Sequence, residues 1–322
     1  MRYGFIGLGN LGKHLAANLV RGGFEVAVHD LDRAAAAGVL AAGATWAGSV
    51  AELARSCDAL ITCLPSPKAT AMVMDQALPA MRRGSTWIEM STNDFAEVEA
   101  LATRASAAAI DTLACPVTGG VHRAEAGEIT VLVGGAPAIF EKHKPALQAM
   151  GGKVIYLGGI EQAAVTKVVT NMLAFIHLIA AGEAMMLCAK AGVDLRAAFE
   201  AIAASSGNSF VHETESQVIL NGSRDISFTM DLVIKDVSLF DSIARQHHVP
   251  LELSPLIVDI FKEGERRYGP REFSPNIIRR LEDACHVRVL GEGFPAQMVD
   301  DEPEAPGYEV VPKGRTAPAA AA

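Results

Sequence analysis

The sequence has little of what nucleic-acid-binding, disulfide-stabilised or metal-binding proteins carry. Its 28 basic residues are outnumbered by 37 acidic ones, and basic residues cluster no further than pairs such as Arg82-Arg83. A nucleic-acid surface needs clustered Lys and Arg, so we expect no nucleic-acid partner. The five cysteines form no CxxC pair and the nine histidines no HExxH pattern. These absences predict free thiols, a reducing compartment and no metal site.

Apolar runs of membrane-spanning length are also missing. The longest apolar stretch, about residues 168–182, is too short and contains Asn171 and His177, so we interpret it as a buried helix and expect no membrane partner. The first residues resemble no charged-then-apolar leader, which predicts a cytoplasmic protein without a signal peptide.

Strand-length apolar runs alternate with helical stretches through the first half of the chain. We predict strands at 3–6, 25–29, 59–64, 86–90 and 129–133, and helices at 11–21, 97–109 and 136–149. This alternation is typical of an α/β fold with a doubly wound parallel sheet, a Rossmann domain. We place this dinucleotide-binding domain at residues 1–161.

Helical patterns dominate the chain after the first domain. They begin with an apolar segment of some thirty residues that contains one glycine, Gly182, and no proline. We expect an all-α domain for substrate binding and oligomerisation at 162–290. Because a small helical domain cannot cover so long an apolar helix, we expect a homodimer or homotetramer. Pro, Gly and acidic residues accumulate at 291–322, which predicts an extended or disordered tail.

A glycine motif lies between the first predicted strand and the helix that follows it: Gly7-Leu8-Gly9-Asn10-Leu11-Gly12. The first glycine suits a tight turn, the second lets the backbone approach a pyrophosphate, and the third allows close helix–strand packing. The helix N-terminus then adds backbone N–H groups and positive dipole. The alternative is a purely structural glycine turn.

An acidic residue ends the second predicted strand. Asp30, eighteen residues after Gly12, is placed to accept hydrogen bonds from both ribose hydroxyls and to repel a 2′-phosphate, which favours NAD over NADP. Asp32 is a weaker candidate for this role, and the neighbouring Arg33 leaves NADP possible.

Three further segments follow in order: CPVTGG at 115–120, GIEQAAVTKVVTN at 159–171, and Lys235-Asp236. Together with the opening FIGLGNLGKHLAANL, they resemble the 3-hydroxyisobutyrate dehydrogenase family of β-hydroxyacid dehydrogenases over about residues 2–290. The resemblance implies hydride transfer between NAD(P) and the hydroxyl-bearing carbon of a small 3-hydroxy carboxylic acid. It also implies that Lys167 is the catalytic lysine.

The residues of these segments suit that chemistry. Thr118, Gly119 and Gly120 offer a hydroxyl and two backbone N–H groups to a carboxylate, although a plain turn would have the same pattern. Lys167 and Asn171 share a helix face, and a lysine in an apolar run is costly unless it snorkels or has a task. Lys167 would move the hydroxyl proton as general acid–base, and Asn171 would hydrogen-bond the hydroxyl.

The resemblance implies roles for other positions. Lys235 would contact cofactor or substrate with Asp236 alongside, the alternative being a surface ion pair of little weight. The cofactor groove would include two dipeptides, Leu64-Pro65 and Ser91-Thr92. His122 and Arg123 depart from the small or apolar residues expected there, and they are either substrate-pocket residues that bind a second polar group or a solvated turn.

Two other functions fit the same architecture. An imine reductase resembles it but generally lacks a lysine at the position of Lys167. A non-catalytic dinucleotide-sensing module would not need Thr118, Lys167 and Asn171 together. We therefore expect an NAD(P)-dependent dehydrogenase that acts on a small carboxylate.

Overall fold

The computed structural model describes residues 1–300 and 306–312. These residues form two compact units, one of residues 1–167 with 306–312 and the other of residues 168–300. The end of the tail that we predict to be extended or disordered, residues 313–322, lies outside the described residues.

The first unit alternates strands and helices. Its elements, in chain order, are β1 (Arg2–Ile6), α1 (Gly12–Arg21), β2 (Glu25–His29), a 3₁₀ turn (Arg33–Ala36), α2 (Ala37–Ala41), β3 (Thr45–Trp46), α3 (Val50–Ser56), β4 (Ala59–Thr62), α4 (Pro67–Ala77), β5 (Thr86–Glu89), α5 (Phe95–Ala107), β6 (Asp111–Ala114), β7 (Val117–Thr118), α6 (Gly120–Ala126), β8 (Thr130–Gly135), α7 (Pro137–Met150), β9 (Lys153–Gly158), the first turns of α8 (Ile160–Lys190), and β10 (Tyr308–Glu309).

These strands make one sheet in the order β10-β9-β8-β6-β5-β4-β1-β2-β3, with β7 paired to β8. β1 pairs in parallel with both β2 and β4, so that Ile6 lies opposite His29 on one side and Thr62 on the other. The strand order reverses at β1, and the carboxyl edge of such a reversal is where open α/β sheets bind ligands.

Side chains that alternate along the strands give the sheet a core on each face. Tyr3 and Phe5 of β1 belong to one buried cluster with helices α1 and α7, whereas Ile6 belongs to a second with α3 and α4. Trp87 and Ile88 of β5 divide between the two clusters in the same way. The doubly wound α/β fold is therefore confirmed.

The sheet is mostly parallel, but β8, β9 and β10 run opposite to the other strands, which the prediction of a parallel sheet did not include. β8 runs antiparallel to β6 and β7, while its partner β9 is parallel to it. The link between β7 and β8 contains only the seven-residue α6, and the chain returns beside β7 instead of crossing back over the sheet.

β3 and β7 were not predicted from the sequence. They have two residues each, which is too few to show an alternating pattern.

The second unit is helical. It contains the remainder of α8, followed by α9 (Leu195–Ala203), α10 (Phe210–Leu220), α11 (Met230–Gln246), α12 (Leu253–Tyr268), a 3₁₀ turn (Ser274–Ile278) and α13 (Arg279–Cys285). Its core includes Phe175 of α8 against Phe261 of α12, with ring centroids 5.8 Å apart.

The long helix α8 is buried along one stripe only. Phe175, Leu178 and Met185 are buried, at the spacing that puts them on one helix face. Leu187 on another face is 71% exposed. Among the described residues this is the one helix that is apolar and long enough to cross a membrane. In its most apolar stretch of 18 residues, 28% is buried. Our expectation of a buried helix therefore holds for one face, and our expectation that no apolar run reaches membrane-spanning length is wrong.

Part of the segment that we predict to be a tail joins the sheet. Tyr308 pairs in parallel with Lys153, and the carboxylate of Glu309 makes an ion pair with Lys144 of α7. Gly307 passes so close to the chain that a Cβ there would lie 2.1 Å from the carbonyl oxygen of Gln148. Nothing in the sequence pattern of 291–322 indicated this strand.

Candidate active site

The glycine turn lies at the carboxyl end of β1. Gly7 has φ +96°, and a Cβ there would lie 2.2 Å from the carbonyl oxygen of Cys63. A Cβ at Gly12 would lie 1.9 Å from the Gly7 carbonyl oxygen, whereas a Cβ at Gly9 would meet nothing within 4 Å. The first and third glycines are thus required by packing, and the second leaves open space above the backbone. That space fits the pyrophosphate of a dinucleotide at the N-terminus of α1.

Asp30 is held against the same turn. Its Oδ2 accepts a 2.6 Å hydrogen bond from the Leu8 N–H, and its Oδ1 accepts one of 2.9 Å from the Asp32 N–H. Asp32 instead accepts from the Ala34 N–H and caps the 3₁₀ turn. The Arg33 guanidinium lies 5.6 Å from the ring centroid of Trp46. Of the two acidic candidates, Asp30 is the one bonded to the glycine turn.

The dipeptides Leu64-Pro65 and Ser91-Thr92 follow two adjacent strands, β4 and β5. The Leu64 N–H donates a 2.8 Å hydrogen bond to the Ser91 hydroxyl oxygen. Because the two strands are parallel, both dipeptides lie at the carboxyl edge of the sheet. The structure therefore brings these two predicted cofactor segments together.

A small cavity opens at this edge, and we call it the Lys167 cavity. Lys167 is only 7% exposed, so its side chain is not a lysine that snorkels to solvent. The residues that line the cavity come from the ends of β5 and β6 and from α5 and α8: Glu89, Ser91, Thr92, Asn93, Val98, Ala114, Pro116, Ala164 and Lys167.

Glu89, the last residue of β5, is a functional candidate that our sequence reasoning missed. It is 1% exposed, and its Oε1 accepts hydrogen bonds from the Ser91 N–H at 2.8 Å and the Asn93 amide at 3.1 Å. Burial raises the pKa of Glu89 to about 7, while these hydrogen bonds act in the opposite direction. The signal in the sequence was an acidic residue within the apolar segment 86–90.

Thr118, Gly119 and Gly120 form the junction between β7 and α6. Gly119 has φ +126° and Gly120 φ +90°, conformations that other residues rarely adopt. Ideal Cβ positions on these glycines would lie 3.1 Å from Arg123 Cδ and 3.0 Å from the His122 ring. Both side chains therefore fold back against the glycine pair, and both are half-buried.

Asn171, Lys235 and Asp236 meet in the second unit. The Asn171 amide donates a 2.5 Å hydrogen bond to Asp236 Oδ2, and Lys235 Nζ lies 3.1 Å from Asp236 Oδ1. Asp236 is 1% exposed. The Lys235-Asp236 pair is therefore not a surface ion pair. Among the described residues, no group of three or more potential metal-binding side chains lies together.

In comparison with known proteins, the two parts of the chain match two different family models. Residues 2–158 match the family described as the NAD binding domain of 6-phosphogluconate dehydrogenase. Residues 162–281 match the family described as NAD-binding of NADP-dependent 3-hydroxyisobutyrate dehydrogenase.

Individual relatives align over most of their length. The 2-(hydroxymethyl)glutarate dehydrogenase of Eubacterium barkeri is 32% identical over 295 residues, which is 90% of this chain and 98% of the relative. The L-threonate dehydrogenase of Cupriavidus necator is 33% identical over 262 residues, 80% of this chain and 88% of the relative. A crystal structure of 3-hydroxyisobutyrate dehydrogenase from Salmonella typhimurium superposes with a TM-score of 0.79 at 29% identity, covering 87% of this chain and 99% of that one.

Proposed function

The chain belongs to the 3-hydroxyisobutyrate dehydrogenase family of NAD(P)-dependent β-hydroxyacid dehydrogenases, and from this premise we propose that it oxidises a small 3-hydroxy carboxylic acid at the hydroxyl-bearing carbon or catalyses the reverse reduction. The observation that carries the proposal is the burial of Lys167 in one cavity with Ser91 and Thr92.

NAD(P) is the cofactor of the family, and we propose that this chain prefers NAD. The glycine turn would hold the pyrophosphate through backbone N–H groups, and the Asp30 carboxylate beside it would accept hydrogen bonds from the ribose hydroxyls. A 2′-phosphate in the same place would meet the negative charge of Asp30. The bound nicotinamide supplies or takes up the hydride.

Lys167 is proposed to take the hydroxyl proton at its amine during oxidation and to return it during reduction. Asn171, one helical turn further along α8, would hydrogen-bond the same hydroxyl, with its amide oriented by Asp236. Lys235 would contact the cofactor or the substrate. These side chains orient the reacting carbon and its hydroxyl, and orientation supplies much of the rate enhancement of such enzymes.

The substrate carboxylate is proposed to bind at Thr118, Gly119 and Gly120. The Thr118 hydroxyl and the two backbone N–H groups are donors, which suit an anion. A substrate held there by its carboxylate would have its reacting carbon at a set distance from the bound end. A small carboxylate is therefore the proposed partner.

A second anionic group on the substrate is favoured by His122 and Arg123. Both side chains pack against Gly119 and Gly120, so a cationic guanidinium stands beside the proposed carboxylate site. The relative 2-(hydroxymethyl)glutarate dehydrogenase is named for a hydroxy acid with two carboxylates. A hydroxy dicarboxylic acid is thus a second candidate substrate.

The two alternative functions are less well supported. An imine reductase would not need the buried Lys167, because that family generally lacks a lysine at this position. A dinucleotide-sensing module would gain nothing from a lysine buried at a desolvation cost. The decisive comparison is NADH formation with a panel of 3-hydroxy mono- and dicarboxylic acids. Tight NADH binding without turnover of any of them would favour the sensor and contradict our proposal.

We also propose a cytoplasmic homodimer or homotetramer without a nucleic-acid or membrane partner. The free cysteines suit a reducing compartment. The uncovered apolar residues of α8, among them Leu173 and Leu187, would be buried by a second copy rather than by lipid. Light scattering of the purified chain tests the oligomer, and a monomer would contradict it.

A further inference from the structure

Glu89 is the centre of a buried hydrogen-bond network that the proposed roles of Lys167, Ser91 and Thr92 do not use. The Thr62 hydroxyl donates to Glu89 Oε2, and the Trp87 indole N–H donates to the Thr62 hydroxyl oxygen at 2.8 Å. On the other side, the Asn93 amide donates to Glu89 Oε1 at 3.1 Å and to the Thr70 hydroxyl oxygen at 2.9 Å. The network joins β4, β5 and α4 beneath the Lys167 cavity.

One atom of this network has no hydrogen-bond partner. Within the described chain, the Asn93 side-chain oxygen is buried and accepts no hydrogen bond, although Asn93 lines the cavity. A buried acceptor without a donor is destabilising, because it has lost its hydrogen bonds to water and gained none in return. The orientation that leaves it unsatisfied is the one that an ionised Glu89 requires, because a carboxylate accepts hydrogen bonds and cannot donate them.

A proton on Glu89 would allow a second pattern. The protonated carboxyl group is a donor, so the Asn93 amide can turn by half a rotation and accept that proton with its oxygen. The Thr70 hydroxyl, which donates to the Ser66 carbonyl oxygen at 3.4 Å, can then donate to the Asn93 oxygen instead. The Asn93 N–H group would then take the place of its oxygen. The two patterns differ by one proton, which Glu89 takes from solvent.

We propose that Glu89 is a positioning residue, which by gaining or losing a proton turns the side-chain amide of Asn93, a residue that lines the Lys167 cavity. This inference rests on the proposed function for its link to turnover, but the switch itself needs neither cofactor nor substrate. The ionised form, which also accepts a hydrogen bond from the N–H of Ser91 in the predicted cofactor segment, is the active one in oxidation.

Of the carboxyl and thiol groups at this site, Glu89 is the one that changes its protonation near neutral pH. Burial raises the pKa of Glu89 to about 7. The other titratable groups around it are the amine of Lys167, in the same cavity, and the thiols of Cys63 and Cys115. Burial and the charge of Glu89 raise the pKa of Cys63 to about 12 and that of Cys115 further. Neither thiol therefore loses its proton in the range where Glu89 does.

The first test observes the switch directly in the chain without cofactor. The chain has two tryptophans, Trp46 and Trp87, and the indole N–H of Trp87 reports on Glu89 through Thr62. We expect its proton–nitrogen NMR signal to titrate with a midpoint near pH 7, and this titration to vanish in Glu89→Gln. The Trp46 signal, outside the network, is the internal reference. A Trp87 signal that does not titrate, or that titrates equally in Glu89→Gln, overturns the proposal.

The second test links the switch to turnover. In the wild type, kcat/KM for oxidation should fall with pH through two essential ionisations, those of Glu89 and of the proposed general base Lys167, and each contributes about tenfold per pH unit below its transition. In Glu89→Gln only the Lys167 ionisation remains, so below the Glu89 transition the fall should be less steep by about tenfold per pH unit. Glu89→Asp, which still titrates, should restore the steeper fall, and Glu99→Gln on the exposed face of α5 should leave it unchanged.

The results separate the two proposals. A pH dependence of kcat/KM in Glu89→Gln that is as steep as that of the wild type overturns the positioning role of Glu89. A Trp87 signal that titrates in a chain that turns over no hydroxy acid contradicts the proposed function and leaves the proton switch standing.

Discussion

The side-chain amide of Asn171 donates a 2.5 Å hydrogen bond to Oδ2 of Asp236, a carboxylate that is 1% exposed. The same carboxylate lies 3.1 Å from the ammonium group of Lys235. Asp236 therefore links Asn171, which lies 65 positions away in the sequence, to its neighbour Lys235. It fixes the orientation of both side chains. Removing one partner of such a buried ion pair is strongly destabilising, because the other charge is left buried without a counter-charge.

Asp236 is the subject of the first prediction. In Asp236→Ala the Asn171 amide loses its acceptor and Lys235 its counter-charge, so we expect kcat to fall roughly 10²-fold, the scale that a misplaced polar group reaches. Asp236→Asn keeps an acceptor for the amide and should lose less. Steady-state kinetics with a melting curve for each variant measures this. Equal kcat for Asp236→Ala and the wild type would remove Asp236 from the site.

Lys167 carries the second prediction. Lys167→Ala should lower kcat by roughly 10²–10⁴-fold, as expected for loss of a general acid–base group, while NADH binding stays near the wild-type value. Lys167→Arg should fail as well, because a guanidinium stays protonated and cannot take the alcohol proton. Lys13 in α1 is exposed, and Lys13→Ala serves as the control. Retention of more than about a tenth of kcat in a folded Lys167→Ala would end the assignment.

Cofactor preference is the third prediction. Because Asp30 is held against the glycine turn by the Leu8 N–H, its charge should oppose a 2′-phosphate by about 1–3 kcal/mol, which is about ten- to a hundred-fold in affinity. The ratio of kcat/KM for NAD to that for NADP should therefore exceed ten and should fall in Asp30→Asn. Asp32→Asn, which alters the 3₁₀ cap instead, is the matched control. A preference of the wild type for NADP would contradict the role of Asp30.

The fourth prediction concerns substrate charge. A 3-hydroxy acid should be oxidised with a much higher kcat/KM than its methyl ester, because the donors at Thr118, Gly119 and Gly120 suit an anion. Arg123→Ala should reduce kcat/KM chiefly for hydroxy dicarboxylic acids. Equal values for acid and ester would refute the carboxylate site. An Arg123→Ala profile parallel to that of the wild type would remove Arg123 from the substrate pocket.

Stability against pH gives the fifth prediction. His143 is fully buried between Tyr3 and Thr86, 3.1 Å from the Tyr3 hydroxyl and 2.8 Å from the Thr86 hydroxyl, and burial lowers its pKa from 6.5 to about 4. Between these two pH values the unfolded chain therefore binds a proton at this histidine that the folded chain does not bind. The contribution of neutral His143 to the free energy of unfolding is fully present above pH 6.5 and is lost as pH falls toward 4. The free energy of unfolding then falls by up to about 1.4 kcal/mol per pH unit.

Chemical unfolding between pH 4 and pH 7 measures this contribution. His143→Gln, which keeps hydrogen-bonding groups without the titration, should reduce the pH slope of the unfolding free energy. His248→Gln, at an exposed position, should keep the wild-type slope. If both variants followed the wild type, another group would be responsible for the loss of stability in acid.

Several elements of the fold could be predicted because their cause is local. β2 was predicted at its observed residues, 25–29, and α7 within one residue of its ends, since periodicity and breakers act along a short stretch of chain. The strands that were missed have a non-local cause. β3, β7 and β10 have two residues each, and their pairing partners decide that they are strands.

For the candidate site, residue types and spacing indicated the glycine turn and Asp30, whereas the family resemblance indicated Lys167 and the Lys235-Asp236 pair. Motifs carry no burial and no distance, however. The roles of Glu89 and of the Asn171–Asp236 bond depend on how far each group is removed from water and on which partner lies within about 3 Å. Those two quantities arise when distant segments pack, since a carboxylate that is an ordinary surface acid in an extended chain acquires its altered proton affinity only in a dry interior.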